Sequence, residues 1–482
     1  MTLSVLHISD LHRDPSNPIS NQVLLDSLER DRDRYTSEGS LSIRPPDIIV
    51  VSGDIIYGAK HDSKDAESRL RHQYDEALHF LDELTARFLG GDKRCIIIVP
   101  GNHDVSDHHF RNSLAPVDVQ LDARKALSEQ LVSPGSHLRW SWPEFSLYRI
   151  ADVEMYRGRF DAFIDFYNSF YENQRPYSPD PAKQFDIFDF PDDGFTIVGF
   201  SSCYDNDTLN KQGAIHPDCI ATARQQLRDF SYQGRLQMAV WHHNLEGPPM
   251  KTDYMDPEIV QNLIDGGYSL GFHGHQHRPQ YLDTRFRHGP DRSIIVISAG
   301  TICGSAAYRF GRAYNLVELD LERRTGRLHV REMQNDNLLL PIWGPRSLSS
   351  HPAEHLSFDY EPPPEPIVNS AKNTAQLAQA RQLYDSNQYN EARLILVPLS
   401  RFEKLARPLL LDCLIKLDDM PGIIDVFDPP ESGAEAIALM DSLWIENRQG
   451  RLAELLDIPL VGESTDPSVV EMRIKYAARL TR

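Results

Sequence analysis

Five short blocks of acidic, imidazole and amide side chains lie between residues 10 and 277: Asp10-Leu11-His12, Gly53-Asp54, Gly101-Asn102-His103-Asp104, His242-His243 and Gly274-His275-Gln276-His277. These side chains ligate cations and carry protons. In an extended segment residues two apart share a face, so Asp10 with His12, and His275 with His277, are each expected to offer a donor pair to one ion. Glycines before Asp54, Asn102 and His275 allow sharp turns that bring the blocks to one point. Carboxylate, imidazole and amide donors suit Mn²⁺, Zn²⁺ or Fe²⁺ rather than Ca²⁺. Asp10, His12, Asp54, Asn102, His242, His275 and His277 are too many for one tetrahedral ion. Two divalent ions fit better. Such a pair can acidify a bridging water into a nucleophile near neutral pH.

The blocks follow short apolar runs. Leu3 to Ile8, Ile48 to Val51 and Cys95 to Val99 are too short for helices and read as buried strands. A second set comprises FTIVGFSS (195–202), LQMAVWHH (236–243), YSLGFHGH (268–275), SIIVISAG (293–300), YNLVELDL (314–321) and RLHVREM (327–333). A polar turn around Thr325 and Gly326 predicts a hairpin for the last two. Between the first strands, Tyr74 to Phe88 sets Leu78, Leu81, Leu84 and Phe88 on one helical face. Alternating strands and helices predict an α/β sheet covered by helices. Its acidic and imidazole groups gather at the C-terminal strand ends, where such sheets build sites.

In this order the five blocks resemble the calcineurin-like metallophosphoesterase superfamily, whose pattern is D-x-H, G-D, G-N-H-D or -E, H at a strand end, and G-H-x-H. The resemblance spans roughly residues 1 to 335. It implies an α/β fold, a four-layer αββα sandwich of two mixed sheets, and a dinuclear centre, with Mn²⁺ expected and Fe²⁺ or Zn²⁺ as alternatives. It also implies that Asp10, His12 and His277 hold one ion, Asn102, His242 and His275 the other, and that Asp54 bridges them. His103 then approaches the leaving group or a phosphate oxygen, with Asp104 orienting it. The family often has His-His-Pro in the fourth block; here it reads His242-His243-Asn244, with His242 taken as ligand and His243 as neighbour. His7, His108, His109, His216 and His273 are read as structural.

A chain of 482 residues is expected to hold two or three domains. The catalytic domain is predicted over 1–342, with an insert or cap at 105–190. In that insert Phe163, Phe166, Tyr167, Phe170 and Tyr171 recur at helical spacing, as a buried aromatic face or, alternatively, a surface that stacks on substrate. Prolines 345, 352, 362, 363, 364 and 366 predict an extended linker over 343–370. Residues 371–482 read as an α-helical domain, either a loose tetratricopeptide-like repeat with Ala380, Tyr384, Tyr389 and Ala392 at the expected places or a plain bundle. It is expected to bind a protein partner or self-associate.

The net charge of −20 denies the chain the positive field that draws long duplexes, though metals can reverse the charge of one pocket. Five cysteines scattered singly speak against a disulfide framework or a thiolate zinc site. The opening residues lack a basic segment followed by an apolar run, and no long apolar stretch occurs, so a cytoplasmic protein without membrane contact is expected. Among the activities that the resemblance implies, the acidity and the large aromatic insert favour a phosphodiesterase acting on nucleotides or a nucleic-acid end, with single-stranded nucleic acid as a candidate substrate class. The alternatives are a DNA or RNA nuclease proper, or a metal-stabilised module that works through its helical domain.

Overall fold

The computed structural model describes the chain apart from residues 1, 18, 37–41, 63–64, 121–122, 134, 229–231, 233, 248–252, 286–292, 306–309, 336, 349–353, 362–369, 401–404, 465 and 481–482. The apolar runs Thr2–Ile8, Ile48–Val51 and Ile96–Ile98 are buried almost throughout and pair in parallel. Strands apolar on both faces need cover on both. On the other side of Thr2–Ile8 the sheet continues antiparallel through Ala313–Asp320 and Thr325–Met333. A second sheet pairs Phe195–Phe200, Leu236–Val240, Leu270–His273 and Ser293–Ser298 in parallel, with Phe185–Phe190 and Gln280–Arg285 antiparallel at its edges.

The period of two along these strands sorts their side chains into two cores. Phe195, Ile197, Met238, Val240, Ile295 and Ile297 join the core shared with the first sheet. Val198, Phe200, Ala239, Ile294 and Val296 face the helices Pro217–Leu227 and Pro257–Gly266. Helices Asn21–Arg32 and Ala66–Leu89 add Leu24, Leu25, Leu28, Phe80, Leu81 and Leu84 to the first core. Each such side chain contributes about 1.5–3 kcal/mol on burial. The result is helix, sheet, sheet, helix: the four-layer α/β sandwich.

Helix Asp161–Phe170 buries Phe163, Phe166, Tyr167 and Phe170. Phe166 stacks on Tyr74 at 5.0 Å, and the Tyr171 hydroxyl donates to the Ile96 carbonyl. The aromatic stripe is therefore core and offers no stacking surface. The insert also holds a small sheet of Leu114–Pro116, Ser146–Ile150 and Leu138–Ser141, which its polar sequence does not announce. Buried Arg139 ties this sheet to the body through Asp207 (2.7 Å) and Asp205 (2.5 Å). The last residues set aside as insert, Phe185–Phe190, are an edge strand of the second sheet.

The expected linker requires correction. Trp343–Arg346 and Leu356–Asp359 are strands that pair with Thr325–Met333, and the compact unit runs to Glu365. Pro345 conceals the first of them, yet an edge strand tolerates a residue without an amide hydrogen. Prolines 352, 362, 363, 364 and 366 lie outside the described residues. The predicted hairpin forms, but its turn is Leu321 to Arg324, since Thr325 already pairs with Asp320.

The second unit, Pro366–Arg482, is helical. Among the described residues three helical hairpins turn alike, each through one left-handed residue: Asn387 (φ 59°), Asp418 (φ 55°) and Asn447 (φ 54°). In each, the next amide reaches back to a leucine carbonyl, Gln388 to Leu383, Asp419 to Leu414 and Arg448 to Leu443, a helix-stop motif. Ala380 and Ala392 are fully buried. No described helix is long and apolar enough to cross a membrane, and all five cysteines are free thiols.

Candidate metal centre

The pairing of Thr2–Ile8 with Ile48–Val51 continues past the strand ends. The amides of Asp10, His12 and Arg13 donate to the carbonyls of Gly53, Asp54 and Ile55 at 3.0, 3.0 and 2.9 Å. Yet these loops are not extended. Asp10 (φ 51°), His12 (43°), Asp54 (51°), His275 (76°) and His277 (54°) all occupy the left-handed region. The expectation of donor pairs on a straight strand is thus corrected: left-handed turns, not pleating, swing the two side chains of each pair inward, while Leu11 between them is fully buried.

The glycines also divide. Gly53 is left-handed (φ 91°), and a Cβ there would lie 2.6 Å from His242 Nδ1. Gly101 has φ −110°, so any residue could adopt its backbone; a Cβ would strike the Asp54 carboxylate and amide. Room, rather than conformational freedom, requires that glycine.

Two groups of donors result. In the first, His277 Nε2 lies 3.1 Å from His12 Nε2 and 3.3 Å from Asp10 Oδ1. In the second, Asn102 Oδ1 lies 3.0 Å from His242 Nε2 and 2.8 Å from His275 Nδ1. Asp54 stands between them, with Oδ2 4.0 Å from His12 Nε2 and Oδ1 3.3 Å from His242 Nε2. Every sequence-predicted donor is present in this cluster.

The donor atoms fit divalent cations. His242 Nδ1–H donates to the Ser52 carbonyl at 2.8 Å and His277 Nδ1–H to the Ser305 carbonyl at 2.6 Å. Each bond turns the Nε2 lone pair toward the cluster, as carbonyl partners do for metal-bound histidines. Asp10 Oδ1 is buried without a hydrogen-bond partner. Lone pairs of His277, His12 and Asp10 therefore converge on one point, and those of His242, His275 and Asn102 on another. Such convergence is repulsive unless positive charge sits there.

The electrostatics agree. Burial would push the His242 imidazole down, but the Asp54 and Asp10 carboxylates raise it to about 9. Burial likewise opposes charge on His277, yet the neighbouring Asp10 carboxylate raises it to about 9. For His12 and His275 burial wins, and both fall to about 4. Asp10 is held at about 2 and Asp54 well below the carboxylate range, because their histidine neighbours outweigh burial. Each donor group thus draws one positive charge.

His103 lies beside this cluster, its ring 4.7 Å from that of His12. Its Nδ1–H donates to the Tyr57 carbonyl at 2.7 Å. Asp104, expected to orient it, does something else. The Asp104 carboxylate accepts from the amides of Gly101 (2.8 Å), Ile55 (3.2 Å) and Ile56 (3.4 Å) and from the Tyr74 hydroxyl (3.2 Å). It clips the Asp54 loop to the Asn102 loop. Burial first, then the charge of Asp54, raises it to about 7. The His243 ring packs 4.8 Å from that of His275, but both its nitrogens are engaged elsewhere, with Ser202 Oγ (2.9 Å) and Asn206 Nδ2 (3.1 Å). Sequence reasoning missed Ser52, Ser305 and Tyr57. All three act through backbone carbonyls, which leave no trace in residue type, although Tyr57 closely follows the Gly53-Asp54 block.

No curated protein matches the chain. Among solved structures it is similar to a dimetal phosphatase from Danio rerio, at 12% identity and a TM-score of 0.37, over 74% of this chain and 99% of that one. It is also similar to the calcineurin-like phosphoesterase YfkN from Bacillus subtilis, at 11% and 0.30, over 75% of this chain and 90% of that one. A third likeness is to a Thermus thermophilus protein, TT1561, at 12% and 0.29, over 69% and 99%. The calcineurin-like phosphoesterase family matches residues 3–279, more than half the chain. The chain belongs to that family, and its class is the metal-dependent phosphoester hydrolases.

Proposed function

We propose that the protein is a phosphodiesterase acting on nucleotides or the ends of single-stranded nucleic acid. Asp10, His12 and His277 would hold one divalent cation, Asn102, His242 and His275 a second, with Asp54 shared and Mn²⁺ the first choice. When bound, such a pair supplies Lewis acidity toward phosphate oxygens and a nucleophile near neutral pH. The supporting observation is Asp54, whose two oxygens face different donor groups.

The chain's own residues supply the rest. Left-handed turns hold the donors in place before any ligand arrives. His103, with Nδ1–H tied to the Tyr57 carbonyl, would pass a proton from Nε2 to the leaving oxygen when the ring is in its imidazolium form, and be left as the neutral imidazole. General acid catalysis of this kind contributes typically ~10²–10⁴-fold. The net charge of −20 disfavours long duplexes, which favours small or single-stranded substrates over a nuclease proper.

Purified protein with Mn²⁺ should hydrolyse bis-p-nitrophenyl phosphate, and Asp54→Ala should abolish the reaction. A panel of cyclic nucleotides, dinucleotides, single-stranded DNA and RNA, and monoesters then ranks the substrates. Full metal occupancy without turnover of any mono- or diester would sink the proposal. We further propose that the helical unit docks a partner or a second copy; it exposes Leu394, Ile415, Ile445 and Ile474. Removing residues 371–482 should leave basal turnover intact and abolish the complex.

A further inference from the structure

Tyr57 is a large aromatic residue held at the rim of a polar site on a backbone with almost no freedom. Its amide donates to the Arg13 carbonyl at 3.3 Å and its carbonyl accepts from His103. The preceding amides of Ile55 and Ile56 end on Asp104, and the following amide of Gly58 donates to Gln73 Oε1 at 2.9 Å. Gly58 is left-handed (φ 82°), and a Cβ there would lie 3.0 Å from the His103 carbonyl oxygen, so the chain can turn back only through glycine.

On this pinned segment Tyr57 is 58% exposed. It lies 6.0 Å from the His103 ring and 6.1 Å from the His12 ring, centroid to centroid. An exposed tyrosine is ordinary in itself. An exposed ring beside both a candidate metal ligand and the candidate proton donor, on an immobilised backbone, is a preformed platform. Tyrosine offers broad contact area at small entropic cost.

We propose that Tyr57 determines specificity by stacking on a planar ring of the substrate, so that nucleobase-bearing phosphates are preferred over phosphates lacking a base. This rests on the phosphoesterase reading for the location of the phosphate. The ring is the specificity element, while the His103 contact runs through the Tyr57 backbone carbonyl and survives replacement of the side chain.

The test is calorimetric titration of the full-length, Mn²⁺-loaded protein with adenosine 5′-monophosphate and with ribose 5-phosphate, which differ only in the base. Wild type should bind the nucleotide at least about fivefold more tightly, the low end of what stacking on an aromatic side chain gives. Tyr57→Ala should bring the affinity ratio close to one, and Tyr57→Phe should restore it. Equal affinities in wild type, no detectable nucleotide binding, or an unchanged ratio in Tyr57→Ala would each overturn the platform. The outcomes separate from those of the phosphoesterase reading. Ester hydrolysis with a flat ratio refutes only the stacking role, whereas a base-dependent ratio lost in Tyr57→Ala without any hydrolysis refutes only the enzymatic one.

Discussion

Replacing Asp104 by alanine removes the acceptor for two short backbone hydrogen bonds, from Gly101 N at 2.8 Å and Ile55 N at 3.2 Å, and for two weaker ones. Asp104 is only 2% exposed, so water does not readily take its place. Each buried donor left unsatisfied costs about 1–3 kcal/mol, which makes the two short bonds worth about 2–6 kcal/mol together. Against a total stability of about 5–15 kcal/mol, that is a large fraction. Urea unfolding of the metal-free protein should show the loss directly, and metal affinity should fall with it, because the Asp54 and Asn102 loops separate. Were Asp104 instead the residue that orients His103, Asp104→Ala would unfold at the wild-type midpoint, keep its metals and lose turnover. That result would refute the clip.

Three other outcomes follow from the geometry. Buried Asp31 receives Arg331 in two bonds of 2.9 and 2.6 Å but keeps Arg34 (2.5 Å) and the Tyr314 hydroxyl as partners, so Arg331→Met should cost about 1–3 kcal/mol in urea unfolding; an unchanged midpoint contradicts it. Burial, helped by His273, pushes the His7 imidazole down to about 3 from 6.5. The unfolded chain therefore takes up that proton first, and stability is full above pH 6.5 and declines as pH falls toward 3; urea midpoints at several pH values, flatter in His7→Asn, check the sign. Amide exchange at Asp10, His12 and Arg13 should be slow even without metal, since their hydrogen bonds are backbone bonds. Fast exchange that slows only on adding Mn²⁺ would show that cations, not the chain, fold these loops.

The donor blocks were legible because ligation demands particular residue types, and strands bring their C-terminal ends together whatever the loops do. The left-handed backbone at Asp10, His12, His275 and His277 was not legible. A two-residue alternation of polar side chains reads the same in a strand and in a pair of tight turns, and only the neighbouring Gly53 carbonyl and Asp10 carboxylate distinguish them. Asp104 was misassigned for a related reason: adjacency to His103 suggests contact, but the short helical turn at Asn102–Asp104 sends the carboxylate back to Gly101 N. The strands after residue 342 were hidden by proline and polar composition, since edge pairing needs neither an apolar face nor every amide.

Five of the candidate donors stand in backbone that costs an L-residue about 1–3 kcal/mol. Such strain persists only where the surroundings over-determine it. Here the surroundings are the continued strand pairing through Gly53, Asp54 and Ile55, together with the His275 amide bonded to Asp10 Oδ2 at 3.0 Å. The strain places the carboxylate and imidazole donors, Asp10, Asp54, His12, His275 and His277. Cations held by these donors would supply positive potential for an anionic ester, which reconciles a strongly acidic chain with a phosphate substrate. Affinity for phosphate should accordingly depend on metal loading. A metal-free protein that still bound inorganic phosphate in calorimetry as tightly as the loaded one would mean that the anion site lies elsewhere, and the role given to these donors would fall with it.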